Sequence, residues 1–152
     1  MRVGVWLQSI YDPAFTPHAR RGLAKSTEAG GTNLKGERTM SLDVYLEVET
    51  CPHCGVGEEV YSANITHNLN TMAHEAGIYN LVWRPEENDV VQAWQLIEPL
   101  REAIADMEKD PERFKQHNAE NGWGLYEHFL PWLRRYLEAC ECWPQAKVRA
   151  SR

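Results

Sequence analysis

No run of apolar residues in this chain approaches the ~20 that a membrane-spanning helix needs. The opening stretch Met1-Arg2-Val3-Gly4-Val5-Trp6-Leu7 is cut short by Gln8, Ser9 and Asp12 before a secretory core is reached. Both absences point to a cytoplasmic protein with no membrane partner. Cysteine is sparse, with four in 152 residues. In a reducing compartment these are free thiols or metal ligands, not disulfides, and the Asn64-Ile65-Thr66 acceptor pattern carries no sugar. Catalytic signatures are missing too. There is no Gly-x-Ser-x-Gly and no His-Glu-x-x-His, and the glycines at 30–31 and 55–57 lack the Lys-Ser/Thr or the following helix of a phosphate cradle. His67 and His74 fall seven residues apart, a helical rise of ~10.5 Å, too far to share one ion. No Asp or Glu stands out as half of an acid–base pair. These gaps favour a binding protein over an enzyme.

What is present is one domain's worth of ordinary globular sequence, 43% apolar and 25% charged, with six tryptophans as its unusual feature. Trp offers a large apolar body with one N–H that wants a partner. The charge is uneven. Residues 1–39 hold six Lys/Arg against three Asp/Glu, net +3, and residues 40–152 hold ten against nineteen, net −9, for a total of −6. An acidic domain repels a phosphate backbone, which argues against general nucleic-acid binding.

The two portions also differ in texture. Residues 1–39 carry Gly22, Gly30, Gly31 and Gly36 among Ser and Thr with no sustained period, the composition of a flexible arm or of an extension upstream of a start at Met40. From Met40 the chain organises into a single domain, residues 40–152. Leu42, Val44, Leu46 and Val48 alternate with polar residues as a half-buried strand. Cys51-Pro52-His53-Cys54-Gly55 reads as a turn, and residues 58–64 as the second arm of a hairpin. Ile65, Leu69, Met72 and Ala76 predict a helix closed by Gly77, then an aromatic loop at 78–85. Asp89 with Gln92 predicts a capped helix kinked by Pro99, Asp110-Pro111 a short one, and Leu125, Phe129, Trp132, Tyr136 and Cys140 a long last one. Residues 147–149 offer a short third strand. The expected fold is α+β: a small antiparallel hairpin, or three strands, packed on about four helices.

Two groups of residues carry candidate chemistry. Cys51 and Cys54 set two thiolates on one turn, half of a structural zinc site; Cys140, Cys142, His53, His67, His117 and His128 are the available partners. The alternative is an unliganded pair. A thiol–disulfide role is disfavoured because Gly55-Val56-Gly57 would break the helix that activates such a cysteine. The second group is polar. Asn64, Thr66, His67 and Asn68 crowd the point where strand becomes helix, while Trp83-Arg84 and Asn121-Gly122-Trp123-Gly124 each set an aromatic plane beside hydrogen-bonding groups. Capping by Asn64 or Thr66 and turn formation by the glycines are the plain explanations. The functional one is a single pocket for a flat polar ligand.

Tyr61-Ser-Ala-Asn64-Ile-Thr-His-Asn-Leu69, Met72-Ala73, Ala76-Gly-Ile-Tyr79, Trp83-Arg-Pro85, Asn121-Gly-Trp-Gly124, Tyr136-Leu137, Ala139-Cys140 and the final Ser151-Arg152 are ordered and spaced as in a family of small phage and prophage proteins. The chain resembles that family over residues 40–152, including the start at Met40. The resemblance implies a bacterial host cytoplasm and no particular reaction. It also sets the segment between the two strands, with Cys51 and Cys54, in the family's variable part. The leading expectation is therefore a phage-type accessory protein binding a small polar, nucleotide-like ligand. The rivals are a protein–protein module, such as an inhibitor of a host factor, and a small enzyme with His67 as base.

Overall fold

The computed structural model describes residues 41–51 and 53–152; the expected arm at 1–39 lies outside them. Strand β1 (Ser41–Glu49) is the centre of a three-stranded antiparallel sheet ordered β2-β1-β3. β2 is Gly57–Thr66, and β3, Lys147–Ser151, pairs on the other side of β1. The fold is α+β, with five α-helices rather than about four: α1 Asn70–Glu75, α2 Tyr79–Trp83, α3 Trp94–Lys109, α4 Pro111–Lys115 and α5 Tyr126–Cys142. Among the described residues no helix is long and apolar enough to cross a membrane.

The period-two pattern of β1 does what it predicts. Leu42, Val44 and Leu46 are fully buried under the helices, while the intervening residues line the opposite face. There Arg149 from β3 lies over the Tyr45 ring and pairs with Glu47. A bulge opposite Leu46/Glu47 admits Val60 as an extra residue in β2.

Three local expectations are corrected. β2 runs on past the expected Asn64, so Ile65 and Thr66 are strand residues and the helical turn begins only at His67. Ladder pairing of Ser41 with Thr66 outcompetes the helical period. The aromatic loop is the helix α2. Asp89 does not cap α3: it sits at φ 55, and the Gln95 side chain folds back to accept from Val91 and Gln92 N–H at 2.8 Å each. The first N–H groups of α3 are taken by carbonyls before β3, Ala93 to Ala146 and Trp94 to Pro144, both 2.9 Å, which ties the helix to the sheet. By contrast Asp110 does cap α4, accepting from Arg113 N–H.

The core is an aromatic spine. Tyr79, Trp83, Phe129, Trp132, Tyr136 and Tyr61 follow one another with ring centroids 5.4–6.3 Å apart. Burial pushes the Tyr136 and Tyr61 phenols upward and the Cys140 thiol up to about 12. These groups are stabilised in their neutral form. Their contribution is complete at neutral pH and is lost on the alkaline side, once the unfolded thiol and phenols ionise and the folded ones do not. Cys140 therefore stays inert in the folded chain. Iodoacetamide should label Cys51, Cys54 and Cys142 and spare Cys140 until denaturant is added, as read by peptide mass spectrometry. Labelling of Cys140 at the rate of the other three would contradict its burial.

Candidate functional site

The two polar motifs interlock. Asn121 Oδ1 accepts from the Trp123 N–H at 2.9 Å, turning the chain back on itself, and Gly122 takes φ +75 in the turn. Asn68 then clasps this turn from the other segment: its side-chain amide donates to the Trp123 carbonyl at 2.8 Å and reaches Asn121 Oδ1 at 3.5 Å. Gly124, at φ +108, presses directly on Asn68; a Cβ there would stand 2.8 Å from the Asn68 Cβ and 3.2 Å from its carbonyl carbon. The glycine thus admits a neighbouring segment of the chain rather than a ligand. Asn118 Oδ1 meets the Tyr126 N–H at 2.7 Å and seats the start of α5 beneath the turn.

Beside this clasp lies an open cleft of about 550 Å³. One wall is the end of the sheet, Ser41, Asn64, Ile65 and Thr66; the other is Gly122, Trp123 and Gly124, with His128 from α5. Asn64 is oriented by Asp43, to which it donates at 2.6 Å, and Thr66 Oγ accepts from Asn68 N–H at 3.3 Å. Trp123 stands 68% exposed at the rim. Its indole is outside because the turn is held by backbone and Asn side chains, leaving the ring free of packing duties.

The expected site is therefore divided. Asn64, Thr66 and Trp123 line the cleft, and Asn68 and Asn121 build its wall. Trp83 does not belong to it. It is 0% exposed, edge-on to Phe129 and stacked on Tyr79, and no ligand from solvent reaches its face. Arg84 is not on the cleft either: it pairs with Glu87 at 2.5 Å. His67 turns inward. The Trp83 indole donates to His67 Nδ1 at 3.3 Å. Asn70 Oδ1 stands 3.4 Å from the same nitrogen, and Nε2 is enclosed without a partner. The ring therefore meets Trp83 and Asn70 through one nitrogen, has the other shut in, and does not line the cleft. Ser41, Ile65 and His128 were not singled out for this pocket in the sequence: Ile65 was read as part of an apolar helix face, His128 as an available zinc partner, and no spacing couples Ser41 to the polar motifs.

Cys51 and Cys54 lie at the opposite end of β1. The Cys54 thiol, ahead of the backbone N–H groups of Cys54 and His53, holds the Cys51 thiol below its usual range. Among the described residues no group of three or more His, Cys, Asp or Glu is placed to hold a metal ion, and Cys140 is committed to the core. No protein-family model matches this chain, and no curated protein or solved structure matches it either.

Proposed function

We propose that the domain is a phage-type accessory protein of the bacterial cytoplasm that binds a small, flat, hydrogen-bonding ligand in the cleft beside Trp123. The observation that carries this is a large aromatic ring exposed at the rim of a concavity, on a turn fixed by three side-chain hydrogen bonds. Preorganised aromatic planes of this kind stack planar rings, worth about 1–3 kcal/mol per base in nucleic-acid systems. Asn64, Thr66 and Ser41 supply donors and acceptors along the opposite wall. Among the described residues no Arg or Lys lines the cleft, and Asp43 stands behind Asn64. That charge balance favours a nucleobase or nucleoside over a phosphorylated nucleotide.

Exposure of Trp123 also favours a second reading, a protein partner such as a host factor inserting against it, since Trp is a preferred anchor at interfaces. Calorimetric titration with a panel of nucleobases, nucleosides and nucleoside monophosphates separates the two. Saturable binding of a base or nucleoside is expected, weakened about tenfold or more in Trp123→Ala and Asn64→Ala with melting temperatures within about 2 °C of the parent. Absence of binding across the panel, with no small molecule co-purifying in native mass spectra from the host, would sink the ligand reading.

A further inference from the structure

Five large apolar side chains stand exposed among the described residues: Val56, Val91, Trp94, Trp123 and Trp143. Trp123 belongs to the cleft. The other four gather at the far end of the nine-residue strand β1, where it turns into β2. Val56 is in that turn. Val91 faces a groove it shares with Gly55 and Gly57. Trp94 donates its backbone N–H to Pro144, the residue after Trp143, so the two indoles start from adjoining backbone. An apolar fringe of this kind on an otherwise acidic domain marks a contact surface.

The same end carries Cys51 and Cys54 on one tight turn. Thr50 and Cys51 N–H both donate to the Val56 carbonyl, at 2.9 and 3.2 Å, and Gly55 N–H donates to the Cys51 carbonyl at 2.9 Å. Gly55 takes φ +66, which closes the turn that carries Cys51 and Cys54. The exposed Cys54 beside Cys51 completes a two-sulfur clip facing solvent.

Two thiolates fill half of a tetrahedral zinc shell. The described part of the chain brings no further ligand to them, and residues 1–40 contain no cysteine. We propose that two copies of this chain share one zinc ion through Cys51 and Cys54 of each, with Val56, Val91, Trp94 and Trp143 buried between the copies. A twofold axis through the ion makes the two clips equivalent and the contact self-complementary, the commonest form of homodimer. Four Zn–S bonds form as four thiol protons leave to solvent, with no change of oxidation state.

Zinc itself is the probe. Full-length chain stripped with a chelator and titrated with zinc sulfate should pass from monomer to dimer in sedimentation velocity and native mass spectra, saturating at one ion per two chains. Cys51→Ser and Cys54→Ser should each abolish both zinc uptake and the dimer without moving the melting temperature of the metal-free chain. Cys142→Ser should leave both intact, and Trp94→Ser should raise the dimer dissociation constant at least tenfold. Cobalt in place of zinc should give the absorption of a four-thiolate tetrahedral centre. Failure to take up zinc, one ion per monomeric chain, or a dimer that persists without metal would each overturn the shared site.

Discussion

Gly124→Ala should destabilise the domain by roughly 3 kcal/mol, near 10 °C in melting temperature, although it adds a single methyl group. Two costs combine. Gly124 sits at φ +108, a conformation L-residues rarely adopt, and its new Cβ would meet the Asn68 Cβ at 2.8 Å and the Asn68 carbonyl carbon at 3.2 Å. Neither neighbour is the tip of a flexible side chain, so the turn itself must move. Moving it pulls the Trp123 carbonyl from the Asn68 amide and disturbs the cleft wall. Gly77→Ala is the internal control. Gly77 also has positive φ, +71, but nothing lies within 4 Å of where its Cβ would be. That variant should lose only the backbone term, about 1 kcal/mol. Urea unfolding of the two variants measures the difference. Equal losses would mean that the clasp between Asn68 and the Gly124 turn contributes nothing to stability.

Trp83→Ala should be more damaging still, at about 3–5 kcal/mol. Domains of this size hold a total of only ~5–15 kcal/mol, so the variant stands near the edge of folding. The ring is fully enclosed between Tyr79 and Phe129, and its removal leaves a cavity at the centre of the aromatic spine. It also strips His67 of the donor that faces Nδ1. Trp83→Phe keeps most of the apolar contact and removes only the N–H, for a loss of about 1–2 kcal/mol. Trp123→Ala should shift stability by no more than about 0.5 kcal/mol, as surface substitutions do. A Trp83→Ala protein with parental stability and a binding defect would reverse the assignment, making Trp83 the ligand platform.

That contrast shows where sequence reasoning ran out. Trp83-Arg84 and Trp123 looked alike in composition, each an aromatic beside hydrogen-bonding groups. What separates them is depth, and depth is set by partners distant in the chain: Phe129 from α5 closes over Trp83, while Asn68 and Asn121 hold the turn of Trp123 by its backbone and leave the ring outside. No local pattern distinguishes these fates. Thr66 and Asp110 were legible as caps because a cap is satisfied within three residues. Asp89 was misjudged because Gln95 supplied acceptors for the same N–H groups from inside the helix.

The alternation of β1, the hairpin turn at Cys51–Gly55, the stop at Gly77 and the two long amphipathic helices were determined by the sequence alone, because each rests on periods and backbone preferences spanning a few residues. The central place of β1, the inward turn of His67, the clasp of Asn68 on the Trp123 turn and the gathering of Val56, Val91, Trp94 and Trp143 at one end were decided only by the tertiary structure. Each depends on which distant surfaces bury one another, and that depends on the packing of the whole domain around its aromatic core.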